Sequence, residues 1–127
     1  MKTIFVDAVY GLIDPGKGLF QEMYELLEGY PNPKIILTGA NKEQREKFGL
    51  IDLPYDLFTL EHDPEKTDPE YYKILLRHYD LKPEEVIYFE HDQAAVNSAS
   101  SVGIQSYFYD SEIKDLGKLR KFIDEKL

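Results

Sequence analysis

The chain has no cysteine, few basic residues and no long apolar run, and each of these absences excludes a class of protein. Without cysteine there can be no disulfide, no thiolate catalysis and no cysteine-ligated zinc. The 15 lysines and arginines are outnumbered by 24 aspartates and glutamates, which gives a formal net charge of -9. Because nucleic acids and anionic membranes would repel such a chain, we expect neither as a partner.

The N-terminal segment carries one lysine and a short apolar run, residues 4–6, that ends at Asp7. This run is too short for a secretory signal and far too short for a membrane span, so a cytoplasmic protein is the expectation. The length of 127 residues predicts a single domain, residues 1–127. The sequence leaves a homo-oligomer open.

Short apolar runs alternate with amphipathic segments along the whole chain. The runs predict five strands, at residues 4–6, 35–37, 57–60, 86–90 and 104–109, of which the first two are expected to be buried and the third is the weakest. The segments between and after them predict helices, and Asp68 followed by Pro69 is typical of a helix start. The alternation therefore predicts an α/β fold, a doubly wound, Rossmann-like parallel sheet of five strands with helices on both faces.

In a doubly wound sheet, ligands bind beyond the carboxyl ends of the strands. The polar residues at or just after those ends, or before the next helix, are Asp7, Thr38, Gly39, Lys66, Glu90, His91 and Asp92. Together they supply a carboxylate nucleophile, a hydroxyl, a cation and a second acidic cluster. Phosphoryl transfer through an aspartyl-phosphate requires these groups.

Three segments, in order and at the expected spacing, resemble the motifs of the haloacid dehalogenase (HAD) superfamily. "IFVDAVYGLID" is similar to its first motif, "IILTGA" to its second, and "KTDPEYY" through "VIYFEHDQAAVNSASSVGI" to its third and fourth. The resemblance covers essentially all 127 residues. It implies a capless HAD-type domain, because the gaps from Asp7 to Thr38 and from Thr38 to Lys66 are too short for a cap domain.

The resemblance also implies roles for individual residues. Asp7 would be the catalytic nucleophile, and Lys66 would be catalytic and neutralise the phosphate. Thr38 and Gly39 would bind the phosphate with Lys66.

A Mg²⁺ cofactor is a further implication of the resemblance. The implied ligands are Asp7, the backbone carbonyl of Val9, and Glu90 or Asp92. Asp92 could equally cap the following helix.

Two departures from the family pattern bear on activity. Val9 stands where the family has its general acid/base, and a valine cannot protonate a leaving oxygen. His91 stands where the family has the second acid of its fourth motif, and an imidazole is a poor ligand for a hard, oxygen-preferring ion. His91 is more often a hydrogen-bonded loop residue than a metal ligand. In addition, Tyr10-Gly11 replaces the usual Gly-Thr of the turn after the first strand.

The sequence leaves two functions open. The first is a Mg²⁺-dependent phosphohydrolase or phosphotransferase, impaired at its acid/base step, that acts on a phosphorylated small molecule or protein. The second is a catalytically inactive HAD-like domain that binds a ligand or a protein. A phospho-receiver domain is disfavoured because its acids, hydroxyl and lysine follow the strands in another order, and a dehalogenase is disfavoured because no cap is encoded.

Overall fold

The central strand β1, Thr3–Asp7, is buried along its whole length, as its unbroken apolar run requires. The computed structural model describes residues 1–127. The other four strands of the main sheet are β4 (Lys34–Thr38), β5 (Asp56–Thr59), β6 (Val86–Glu90) and β7 (Gln105–Phe108). Neighbouring strands are all parallel, in the order β5-β4-β1-β6-β7. The predicted five-stranded parallel sheet is confirmed.

Five α-helices connect or follow the strands. They are α1 (Gln21–Glu28), α2 (Lys42–Lys47), α3 (Pro69–His78), α4 (Gln93–Ser101) and α5 (Leu116–Lys126). A single 3₁₀ turn, Pro83–Glu85, precedes β6. Asp68 begins α3 as the sequence predicts, because its side chain accepts the N–H of Glu70 at 2.9 Å and Pro69 occupies the first turn.

The helices cover both faces of the sheet, because side chains alternate along each strand. Ile4 and Val6 of β1 pack in one apolar cluster with α1 and α5. Phe5 points to the other face and packs in a second cluster with α3 and α4. The prediction of helices on both faces is therefore confirmed.

The segment between β1 and α1 contains a small hairpin that the sequence does not predict. Its strands are β2, Ile13–Asp14, and β3, Gly18–Leu19, which pair antiparallel. The helix predicted between the first two strands of the main sheet therefore begins after this hairpin, at Gln21. No domain is inserted between Asp7 and Thr38, since the hairpin, α1 and the first residues of β4 account for the segment.

None of the helices combines the length and the apolar character that a membrane crossing needs.

Candidate functional site

The site lies where β1, β4 and β6 end side by side at one edge of the sheet. The chain runs outward from β1 to β4 and β5, and then returns to place β6 on the other side of β1. This reversal opens a crevice at the strand ends. Asp7, Thr38 and Glu90 end the three strands. A cavity of about 240 Å³ lies beside them, lined by Thr38, Glu90 and Lys66 among others.

Asp7 is only 1% exposed, and both of its carboxylate oxygens are hydrogen-bonded within the protein. Oδ1 accepts from Nζ of Lys66 at 3.0 Å. Oδ2 accepts the backbone N–H of His91 at 3.0 Å and also contacts Nδ1 of the same residue. Burial and the neighbouring carboxylate of Glu90 raise the pKa of Asp7.

Lys66 connects the ends of three strands. Its ammonium lies 3.0 Å from Oδ1 of Asp7, 2.5 Å from Oε1 of Glu90 and 3.3 Å from the carbonyl oxygen of Leu37. An ammonium has three N–H donors, so these contacts use all of them. Burial alone would lower the pKa of Lys66, but Asp7 and Glu90 raise it well above its usual value.

Glu90 is as buried as Asp7, at 1% exposed. Its Oε1 accepts from Lys66 and from the hydroxyl of Tyr88. Its Oε2 accepts the backbone N–H of Asp92 at 3.1 Å and lies 3.0 Å from Nδ1 of His91. Burial would raise the pKa of Glu90, but Lys66 and the other donors lower it below its usual value. Glu90 is therefore the more strongly ionised of the two carboxylates.

The imidazole of His91 lies between the two carboxylates. Nδ1 contacts Oδ2 of Asp7 and Oε2 of Glu90, and the ring packs on Tyr10 with 5.1 Å between ring centroids. Burial would lower the pKa of His91, but its hydrogen bonds to Asp7 and Glu90 raise it to about 10. Near neutral pH the His91 ring is therefore protonated, and it lies beside the ammonium of Lys66 and the two acidic side chains.

Thr38 and Gly39 border the cavity from the end of β4. The hydroxyl oxygen of Thr38 accepts the N–H of Ala40 at 3.1 Å, and its carbonyl accepts from the hydroxyl of Tyr71 at 2.8 Å. The structure thus brings Asp7, Lys66 and Glu90 into direct contact and places Thr38 on the same cavity, as the sequence predicts. Their catalytic and phosphate-binding roles remain predictions.

No protein-family model matches the sequence, and no curated protein sequence matches it. Solved structures match across nearly the whole chain. The core domain of a candidate phosphoglycolate phosphatase from Streptococcus pneumoniae is 19% identical, with a TM-score of 0.65, and the match covers 99% of this chain and 98% of that one. A HAD-superfamily hydrolase from Ehrlichia chaffeensis is 17% identical, with a TM-score of 0.63, and the match covers 98% and 96% of the two chains.

A HAD-family enzyme from Bacteroides thetaiotaomicron, in a mutant complex with magnesium and inorganic phosphate, is 15% identical with a TM-score of 0.66. That match covers 80% of this chain but only 58% of the enzyme. The Saccharomyces cerevisiae protein UTR4 matches over 47% of its own length. The chain therefore spans about half the length of these two proteins.

The chain has the HAD fold.

Val9 and Asp92 are two of the residues that the HAD resemblance implies as metal ligands. Val9 borders the cavity. Asp92 caps α4, where its Oδ1 accepts the N–H of Ala94 at 2.9 Å. The residues whose potential ligand atoms all lie within 4.8 Å of one another are Asp7, Glu90 and His91. The implied ligand roles of Val9 and Asp92 remain predictions.

The donor set does not fit Mg²⁺ in this arrangement. Mg²⁺ requires near-octahedral coordination by oxygen atoms at about 2.0–2.1 Å. Here all four oxygens of Asp7 and Glu90 already accept from N–H or O–H groups of the protein. An imidazole, which is a softer ligand than a carboxylate, lies between them.

Several residues around this site were not predicted from the sequence. The hydroxyl of Tyr88 donates to Oε1 of Glu90 and lies 3.3 Å from the hydroxyl of Tyr72. The spacing of Tyr88 and Glu90 could have revealed the first contact, since residues i and i+2 of a strand face the same way. His62 and Glu65, 2.9 Å apart on the cavity wall, carry no comparable signal because they lie on a loop.

Proposed function

We propose that the chain is a HAD-fold domain without phosphoryl-transfer activity, which binds a ligand or a partner protein at the cavity beside Asp7. The observation that carries this proposal is that both carboxylate oxygens of Asp7 are bound by internal donors. A nucleophile must present an accessible oxygen to phosphorus. Asp7 is 1% exposed and both of its oxygens are engaged by internal donors, so neither is presented to a phosphate in this arrangement.

The ammonium of Lys66 is also engaged within the protein. All three donors of Lys66 are used by Asp7, Glu90 and a backbone carbonyl, so a phosphate would have to displace internal bonds to gain one. The acidic side chains of Asp7 and Glu90 lie against Lys66 and His91 and reduce the positive potential that a phosphate would meet. Val9 supplies no proton for a leaving group. The three requirements of phosphoryl transfer, which are a nucleophile, cations that neutralise the phosphate and an acid for the leaving group, are therefore all poorly met.

The cavity supports the binding half of the proposal. It offers about 240 Å³ and combines polar groups with apolar walls. Gln44, His62 and Glu65 form a hydrogen-bonded group on one side, since the ring nitrogens of His62 lie 2.9 Å from Glu65 and 2.5 Å from Gln44. Phe48 and Ala95 supply apolar lining. A small polar ligand or a protruding side chain of a partner fits this mixture.

The test is turnover of acetyl phosphate and an aryl phosphate in the presence of Mg²⁺, with Asp7→Asn as the matched variant. The leaving groups of these substrates depart without protonation, so an enzyme that lacks a general acid would turn them over most readily. We expect the wild type and the variant to show the same background rate. We also expect beryllofluoride with Mg²⁺ to leave the melting temperature of the wild type unchanged. Turnover that Asp7→Asn abolishes would refute the proposal.

A slow phosphohydrolase is the second candidate, favoured by the 3.0 Å contact between Asp7 and Lys66 at the end of β1. In that reaction an Asp7 oxygen would attack phosphorus while the bond to the leaving oxygen breaks, and water would later release the phosphate. Without an acid at Val9, the leaving group would depart unprotonated, at a cost of about 10²–10⁴ in rate for ordinary esters.

The Streptococcus pneumoniae neighbour is a candidate phosphoglycolate phosphatase, and an alkyl phosphate of that kind would suffer this cost in full. Acyl and aryl phosphates, on small molecules or proteins, are the substrates that this candidate predicts. Asp7-dependent turnover of acyl and aryl phosphates, with none of alkyl phosphates, would establish the slow phosphohydrolase.

A further inference from the structure

We infer that the His91 side chain takes the place of a divalent cation in this site, and that the residue at position 91 decides whether the chain binds Mg²⁺. The inference goes beyond the proposed function, because it holds whether or not the chain turns over a phosphate. It starts from the mismatch between the donor set and Mg²⁺.

The position of the ring is the first argument. Nδ1 of His91 contacts Oδ2 of Asp7 and lies 3.0 Å from Oε2 of Glu90. A cation that bridged the two carboxylates would have to occupy the space that this nitrogen and its proton fill. The backbone N–H of His91, 3.0 Å from Asp7, and the packing on Tyr10 hold the ring there.

The type of ligand at position 91 is the second argument. Mg²⁺ takes oxygen ligands, and the imidazole between Asp7 and Glu90 supplies none. An aspartate at position 91 would add a third carboxylate next to Asp7 and Glu90. Three carboxylates grouped in this way are the kind of oxygen ligands that a divalent cation takes.

An aspartate at position 91 can place an oxygen where the histidine now places Nδ1. Nδ1 of a histidine and the Oδ atoms of an aspartate are separated from Cα by the same number of bonds. His91→Asp would therefore put a carboxylate oxygen near the present position of Nδ1, between Asp7 and Glu90. His91→Asn has nearly the same shape without the charge, which makes it the matched control.

The experiment measures thermal unfolding of the full chain and calorimetric Mg²⁺ binding for the wild type, His91→Asp and His91→Asn. We expect about 10 mM Mg²⁺ to raise the melting temperature of His91→Asp by about 4–8 °C. The melting temperatures of the wild type and of His91→Asn should not change. A wild type that binds Mg²⁺ as tightly as His91→Asp would overturn the inference.

The carboxylate variant has an excess of buried negative charge without metal and can therefore unfold. If Mg²⁺ restores its folded circular dichroism spectrum, the inference is supported. His91→Glu is the second carboxylate variant, and failure of both variants to gain Mg²⁺-dependent stability overturns it. A wild type that binds Mg²⁺ but has no turnover contradicts this inference alone, whereas Asp7-dependent turnover in EDTA contradicts only the proposed function.

Discussion

Lys66 compensates the charge of two buried carboxylates, because its ammonium pairs with both Asp7 and Glu90. Removing one partner from a buried ion pair leaves an uncompensated charge, which typically costs about 3–5 kcal/mol. We therefore expect Lys66→Met to lower the free energy of unfolding by about 3–5 kcal/mol. Urea denaturation monitored by circular dichroism measures the change.

Lys73 provides the control for this substitution. Its ammonium lies 3.6 Å from Glu70 on the exposed face of α3, and both side chains are about half exposed. Exposed pairs of this kind contribute about 0–1 kcal/mol, so Lys73→Met should change stability by no more than that. Equal losses from the two substitutions would show that the buried cluster has no special importance.

His91 gives the chain a pH dependence whose sign follows from its raised pKa. The pKa is about 10 in the folded chain against a usual value of 6.5, so the unfolded chain loses this proton first. The stabilisation is complete below pH 6.5 and is lost as the pH rises towards 10. From pH 6 to pH 9 we expect the wild type to lose about 1–3 kcal/mol more than His91→Gln. Urea denaturation of both proteins at both pH values measures this, and parallel pH profiles would contradict it.

Among the elements, the turn after β1 is the one that positions Asp7, and Gly11 lets it pass close to that residue. A Cβ at Gly11 would lie 2.9 Å from Cβ of Asp7 and closer still to its carbonyl oxygen. We therefore expect Gly11→Ala to cost about 1–3 kcal/mol of stability, as overpacking does. Thermal and urea unfolding of the variant measure the cost.

Gly117 in α5 offers the matched glycine. A Cβ there would meet Oδ1 of Asp115 at 3.4 Å and nothing closer. Alanine also loses less conformational freedom than glycine in a helix, so Gly117→Ala should be neutral or stabilise by up to about 1 kcal/mol. If Gly11→Ala were equally harmless, the turn would be looser than its geometry indicates.

The elements that the sequence predicts well are those with a strong pattern. The strand Val86–Glu90 and the start of α3 at Pro69 are found where they were predicted, because a buried apolar run and an Asp-Pro cap are local signals. The hairpin of β2 and β3 was missed because strands of two residues are too short to show a period.

The candidate site is predictable only in part for a related reason. That Asp7, Lys66 and Glu90 meet follows from parallel strands whose carboxyl ends share one edge. That their donors and acceptors satisfy one another does not, since it depends on side-chain geometry between residues 59 and 84 positions apart.

For the whole molecule, the formal net charge of -9 determines which partners are repelled. Binding to nucleic acid depends on cations that displace counterions from phosphates. We expect no retardation of duplex DNA or single-stranded RNA in a gel at about 20 mM NaCl, where electrostatic attraction is strongest. A complex that forms at this salt concentration and dissociates as salt is added would contradict the expectation.

The long sequence separations in the buried cluster also bear on how the chain folds. Lys66 and Asp7 are 59 residues apart, and His91 and Asp7 are 84 apart, so their contacts close large loops. Such contacts are expected to form after the rate-limiting step, once β4 and β6 have paired with β1. Stopped-flow kinetics of Lys66→Met should therefore show faster unfolding and a nearly unchanged folding rate. The ion pairs at the strand ends would then form last during folding, and they would set the lifetime of the native state against unfolding.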